Sequence, residues 1–190
     1  MEPVKRILEE RIAVRIEPNK AVLIFGARRV GKTILMRQLI KDFAGKTMLL
    51  NGEDYDTIAL LQERSVANYR HLLEGVDLLA IDEAQNIPDI GTKLKLIVDE
   101  IEGVRVVASG SSSFDLSNKI NESLTGRKWE YQLFPISWEE YENHHGFLYA
   151  EQSLENRLLY GFYPDVLNNV GDEVGILRNL VNSYLYKDIL

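Results

Sequence analysis

Five short apolar runs mark the first 134 residues, and amphipathic segments lie between them. Ala21-Val22-Leu23-Ile24-Phe25 is an unbroken apolar run of strand length and reads as a buried strand. Shorter or similar runs occur at 47–50, 76–81 and 104–108. A fifth, 128–134, alternates instead, with Trp129, Tyr131 and Leu133 on one side. The intervening segments have helical spacing. Residues 4–13 place Val4, Ile7, Leu8 and Ile12 on one side, and 33–43 carry Ile34, Leu35 and Leu39. Further helices are predicted over 60–73, 92–102 and 115–124, with turns at Pro18-Asn19 and Pro88. After Pro135 the pattern is helical only, over 137–145, 153–160 and 172–190. Strands alternating with helices predict βαβ units and a parallel sheet. Right-handed crossovers then put helices on both faces, an α/β three-layer sandwich. The expected division is a sheet-forming unit over 1–136 and a helical region over 137–190.

Composition narrows this picture. The chain has 190 residues, 45% hydrophobic and 27% charged, an ordinary balance for a soluble globular protein with one real core. It has no cysteine, which excludes disulfides and thiolate metal sites. No run of about 18 apolar residues is present, so no spanning helix and no membrane partner are expected. The start, Met1-Glu2-Pro3-Val4-Lys5-Arg6, lacks a signal-peptide core. These features favour the cytoplasm. The net charge of −7 argues against a surface uniformly suited to nucleic acid. Yet residues 1–37 hold nine Lys/Arg against four Asp/Glu, a local excess of five. Three of those nine, Arg28, Arg29 and Lys32, fall in one glycine-rich loop.

That loop is Gly26-Ala27-Arg28-Arg29-Val30-Gly31-Lys32-Thr33, which fits G-x-x-x-x-G-K-[ST], the phosphate loop of P-loop NTPases. It lies between a predicted strand and a predicted helix, as the motif requires. Backbone N–H groups must turn inward around phosphate oxygens, and a Cβ blocks some of those conformations. The helix N-terminus adds unpaired donors and positive potential. Gly26 to Thr33, with Ile34 behind them, are therefore the candidate contacts to ATP. Lys32 would reach the β and γ phosphates, and the Thr33 hydroxyl would ligate Mg²⁺.

Asp82-Glu83 closes the third apolar run. A carboxylate at the tip of a buried strand is costly unless a cation meets it. Mg²⁺ would meet Asp82, and Glu83 would orient or deprotonate water. Alternating side-chain direction along the strand would separate the two tasks. Acids at a helix start are the alternative. Ser109-Gly110-Ser111-Ser112-Ser113 follows the fourth run, where ligands sit in parallel sheets. A hydroxyl there could hold water or a γ-phosphate oxygen, or the stretch is an ordinary turn. His71, His144 and His145 make no metal spacing, and His145 reads as a helix-end cation before a Gly146 cap. Trp129, Tyr131 and Trp138 read as core rather than base-stacking residues.

Together these stretches resemble the prokaryotic AAA-type ATPases of the AAA_14 class, close to archaeal and STAND-like ATPases. The resemblance covers essentially the whole chain. Its motifs are 25–33, Leu79-Ala80-Ile81-Asp82-Glu83-Ala84-Gln85-Asn86-Ile87-Pro88, Ala108-Ser109-Gly110-Ser111-Ser112 and Leu124-Thr125-Gly126-Arg127. Tyr131-Gln132-Leu133-Phe134-Pro135-Ile136-Ser137-Trp138-Glu139-Glu140-Tyr141 and Tyr160-Gly161-Phe162-Tyr163-Pro164 complete the set. The resemblance implies a five-stranded parallel sheet of order 5-1-4-3-2 with a small C-terminal helical lid. It implies that Ser111, or less readily Ser109, senses the γ-phosphate. It also implies that Pro164 approaches adenine, in a segment that departs from Gly-Gly-x-Pro at Phe162. Arg127 lies where such ATPases carry an arginine finger, which would act in trans within a homo-oligomer. Pairing of Arg127 with a surface acid is the alternative.

Members of the class usually continue into a separate C-terminal domain. The stretch ending at Leu190 resembles the junction before it, so a core lacking that domain is expected, with client recognition lying in the missing part. The expected activity is Mg²⁺-dependent ATP hydrolysis driving a conformational switch, with Lys32, Glu83, Ser111 and Arg127 as catalytic candidates. The rivals are a nucleotide-gated scaffold with negligible turnover and a P-loop small-molecule kinase.

Overall fold

The computed structural model describes residues 3–111 and 123–182. Its first half alternates helix and strand: α1 (Ile7–Ala13), β1 (Ala21–Gly26), α2 (Lys32–Asp42) and β2 (Thr47–Asn51). Two short helices follow, α3 (Tyr55–Leu60) and α4 (Val66–Leu72), then β3 (Leu78–Asp82) and a 3-10 turn (Ala84–Asn86). The sheet is completed by α5 (Ile90–Glu100), β4 (Arg105–Gly110) and β5 (Lys128–Leu133). The helical region holds α6 (Trp138–His145), α7 (Phe147–Tyr160), α8 (Pro164–Asn168) and α9 (Glu173–Leu180).

The five strands form one sheet in the order β2-β3-β4-β1-β5, and every pairing is parallel. Read from the other edge, this is the order 5-1-4-3-2. Interior β1 is buried along its whole length. Its register fixes the sheet: Ile24 lies opposite Ser109 on one side and Tyr131 on the other.

Successive residues of a strand point to opposite faces. Ala21, Leu23 and Phe25 therefore join Leu79, Ile81, Val106 and α4–α5 residues such as Tyr69, Leu94 and Ile97 in one core. Val22 and Ile24 join Leu78, Ala80, Val107, Ile12 and the α2 residues Leu35, Met36 and Leu39 in another. Both faces need apolar cover, so the strands read as unbroken apolar runs. β5, at an edge, keeps the alternation, and Trp129 and Tyr131 pack against the second core. Arg15 and Lys20 lie over the Trp129 ring, at 4.3 and 4.4 Å.

Several helix boundaries differ from the sequence reading. The predicted helix over 60–73 is broken, since α3 ends at Leu60 and α4 begins only at Val66. Asp54 caps α3 by accepting from Asp56 N–H at 3.1 Å, and Ser65 caps α4 by accepting from Asn68 N–H at 3.1 Å. Asn68 Nδ2 donates to the Leu60 and Glu63 carbonyls, tying the interruption together. The first helix begins at Ile7, because Arg6 is held extended at φ −95° and ψ 137°. α7 starts six residues before the predicted 153, directly after Gly146, whose φ of 84° breaks it from α6. The expected helix over 115–124 lies almost wholly outside the described residues, as does the end of 172–190.

The helical region has its own small core. Ile136, Tyr141 and Ala150 are buried there, with Val4, Trp138, Phe162 and Leu167 against them. Phe162 meets Trp138 and Tyr141 edge-on, at 6.2 and 5.6 Å between ring centres. That packing gives Phe162 a reason to stand where a second glycine was expected. Ser137 and Glu140 form a reciprocal capping box that starts α6.

Candidate functional site

The loop between β1 and α2 is built for close approach. A Cβ on Gly26 would lie 2.6 Å from the Leu133 carbonyl oxygen, so β5 admits only glycine there. Gly31 caps α2 at φ 105°, in the left-handed region that favours glycine. Arg29 holds φ 59°, a conformation uncommon outside glycine and met at ligand sites. Among the described residues, no side-chain hydrogen bond at Gly31 caps α2. Its first N–H groups are therefore open to an anion, and α2 has no acid in its first turn to compete.

Lys32 is 4% exposed. Its Nζ donates to the carbonyls of Gly26 and Ala27, both at 3.0 Å, so the ammonium lies inside the curl of the loop. Burial pushes its pKa below the ordinary 10.5, Glu83 and Asp82 push back, and Arg28 adds to the fall. These hydrogen-bond partners are neutral carbonyls, and a phosphate would add a charged one.

The loop meets the end of β3. Thr33 Oγ1 donates to Asp82 Oδ2 at 2.6 Å. The other carboxylate oxygen accepts from the Ser109 hydroxyl and, at 3.1 Å, from Glu83 N–H. Asp82 and Ser109 are both buried. Thr33 and Asp82 thus bring two hard oxygen donors to one point beside a buried lysine.

Glu83 does not continue the strand. Its φ of 49° and ψ of 42° are left-handed, which for a non-glycine residue costs about 1–3 kcal/mol. Its direction is set by this turn and not by the strand pleat. Gly52 makes the turn fit, because a Cβ there would lie 2.3 Å from the Glu83 carbonyl oxygen. Gln85 Nε2 donates to Glu83 Oε2, and Gln85 Oε1 accepts from Ser111 N–H at 3.3 Å.

Beside the loop lies a cavity of about 380 Å³. Val30, Gly31 and Ile34 form one wall, and Ile136, His145 and Pro164 contribute the helical side. Pro164 is the first residue of α8, where a proline fits without breaking the helix. Arg29 Nη1 pairs with Asp165 Oδ2 at 2.9 Å, joining loop to α8. His145 stacks on Tyr149 at 5.0 Å. Burial, then His144 and Arg157, lower its pKa below 6.5. His145 does close α6 ahead of its Gly146 cap, as expected, while these surroundings favour its neutral ring.

A family model described as an AAA domain, AAA_14, matches residues 18–142, about two-thirds of the chain and the span holding loop, Asp82 and Ser109. The chain belongs to this AAA domain family. An uncharacterized protein of Methanocaldococcus jannaschii is 25% identical over 203 residues, covering 97% of this chain and 45% of its own length. Uncharacterized proteins of Mycobacterium bovis and Mycobacterium tuberculosis are each 35% identical over 125 residues, covering 65% of this chain and 27% of their own length. The chain thus spans less than half the length of these curated relatives.

In this AAA domain the structure brings together Gly26 to Ile34, Asp82, Glu83 and Ser109, with Pro164 across the cavity. Among the described residues, Ser111 reaches the group through its backbone N–H and Gln85, and the hydroxyl against Asp82 is that of Ser109. Arg127 does not join this site. It precedes β5, whose Lys128 pairs with Ala21 at the opposite end of β1 from the loop. There Arg127 Nε donates to Asp99, the surface-acid alternative. Sequence reading passed over Gln85, Arg6 and Glu140. Only Glu140 carried a local signal, the Ser137-x-x-Glu140 spacing of a capping box. Among the described residues, no group of three or more His, Cys, Asp or Glu side chains could hold a metal, and no helix is long and apolar enough to cross a membrane.

Proposed function

We propose that this AAA domain binds ATP with Mg²⁺ and hydrolyses it, using nucleotide state to move the helical region against the sheet. The observation that carries the reading is the meeting of Thr33 and Asp82 at 2.6 Å beside buried Lys32. Thr33 and Asp82 fit Mg²⁺, which takes oxygen ligands and needs only one or two from the protein. Thr33 and Asp82 would hold the ion, which would supply positive charge to the phosphate site. Lys32 would leave the Gly26 and Ala27 carbonyls for the phosphates. Backbone N–H groups at the start of α2 would hold phosphate oxygens.

Glu83 takes the role of orienting water or accepting its proton, with Gln85 holding its carboxylate. Ser109 steadies Asp82, and Ser111 lies one step further out as the γ-phosphate sensor candidate. The cavity faced by Val30, Ile34 and Pro164 takes the base. Arg127 serves as an arginine finger only on a neighbouring copy, because it lies at the far end of its own sheet.

Phosphate release tests this reading. Glu83→Gln keeps the shape and removes the base, so ATP binding should survive while hydrolysis falls about a hundredfold or more. Turnover at the wild-type rate would remove Glu83 from the role.

A further inference from the structure

Arg6 belongs to none of the motifs above, yet it makes four side-chain hydrogen bonds in the interior. It is 8% exposed. Its Nε donates to Glu140 Oε2 at 3.1 Å. Nη1 donates to the Val30 carbonyl at 3.2 Å, and Nη2 to the Phe134 and Pro135 carbonyls at 2.6 and 3.4 Å. One planar group therefore touches the phosphate loop, the exit of β5 and the first turn of α6.

We propose that Arg6 is a positioning residue of the nucleotide site, aiming the Gly31 N–H into the phosphate cradle and relaying the loop's state to α6 through Glu140. This rests on the nucleotide-binding reading given above. The first half follows from peptide geometry. In a planar trans peptide the C=O and the following N–H point in opposite directions. Drawing the Val30 carbonyl towards Arg6 turns the Gly31 N–H the other way. Gly31 adopts φ 105°, and its position for a Cβ lies 3.5 Å from Arg6 Nη1, so the guanidinium packs directly against this turn.

The second half follows from Glu140, which is 6% exposed. Its Oε1 accepts from Ile7 N–H at 2.8 Å, and its Oε2 accepts from Ser137 N–H at 2.9 Å as well as from Arg6. The same carboxylate caps α6 and anchors α1. A shift of the Val30 carbonyl on nucleotide binding must either break the Arg6 bond or carry Glu140 and the start of α6 with it. A buried ion pair is a poor device for stability alone, since apolar packing often does as well. Four bonds to three separate segments instead fit a demand for position. Only the arginine fork reaches all of them, because a lysine ammonium is a single point.

The test compares wild type, Arg6→Lys and Glu140→Gln as folded chains, using ATP with Mg²⁺ as the probe. Calorimetry of Arg6→Lys should show affinity weaker by about tenfold or more. Its melting temperature should rise less on adding ATP than that of wild type. Hydrogen exchange should show that ATP protects 137–142 in wild type and fails to do so in Arg6→Lys. A merely structural arginine would lower the melting temperature but leave the ATP-induced rise and affinity intact, and that result would overturn the proposal. Should Arg6→Lys not fold, Glu140→Gln decides: loss of ATP-induced protection at 137–142 supports the relay, and retained protection overturns it. Wild type that binds no ATP would instead remove the proposed function and this inference with it.

Discussion

Thr33 and Asp82 stand 49 positions apart in sequence and 2.6 Å apart in space. The first lies in the opening turn of α2, the second closes β3, and β4 lies between β3 and β1 in the sheet. Parallel strands deliver both residues to the same edge, the carboxyl ends where ligands gather in such sheets. The site is thus a product of topology as well as of motif.

Gly52 sits against the turn that aims Glu83. Its N–H donates to the Asp82 carbonyl at 2.7 Å, and its missing side chain leaves room for the Glu83 carbonyl. Gly52→Ala forces backbone apart from backbone and should cost about 1–3 kcal/mol of stability. Hydrolysis should fall further than ATP affinity, because Glu83 moves while the loop stays. Urea unfolding and phosphate release on one preparation check both, and unchanged stability would show that the turn relaxes freely.

His145 gives a pH dependence with a definite sign. Its pKa in the folded chain lies below the usual 6.5. Between the two values the unfolded chain binds more protons, so stability rises with pH across that window. Acidification below about pH 6.5 should therefore cost stability, and His145→Phe should flatten the dependence. Melting curves across pH 5–7 read the difference. Identical slopes in the two proteins would assign acid sensitivity elsewhere.

The sequence made the sheet legible because its central strands are buried on both faces and leave unbroken apolar runs. It made the loop legible because glycine, lysine and threonine at fixed spacing have few other uses. The break at 61–65 was hidden, since Leu60 and Leu61 continue an apolar pattern that the Ser65 cap interrupts. Glu83 was misdirected because a left-handed turn leaves no trace in hydrophobic periodicity. Arg6 was invisible as a site residue for a simpler reason: Glu140 lies 134 positions away, and no local pattern reports such a pair.

Arg127 offers a test of assembly. Its pair with Asp99 is partly exposed, and such pairs contribute little to stability. Arg127→Ala should therefore fold normally. If Arg127 serves a neighbour, mixing inactive Lys32→Ala with inactive Arg127→Ala should restore part of the activity, one supplying the finger and the other the loop. Full activity of Arg127→Ala alone would leave it as half of a surface pair.

The central claim is that Lys32, Thr33 and Asp82 form one site for ATP with Mg²⁺. Calorimetric titration of ATP into wild type and Lys32→Ala, each with and without Mg²⁺, tests it most directly. Losing a charge-assisted contact of about 1.5–3 kcal/mol should weaken binding roughly tenfold or more. Wild type should bind more tightly with Mg²⁺ than without it. Equal affinity in a folded Lys32→Ala chain, or wild-type binding indifferent to Mg²⁺, would contradict the account.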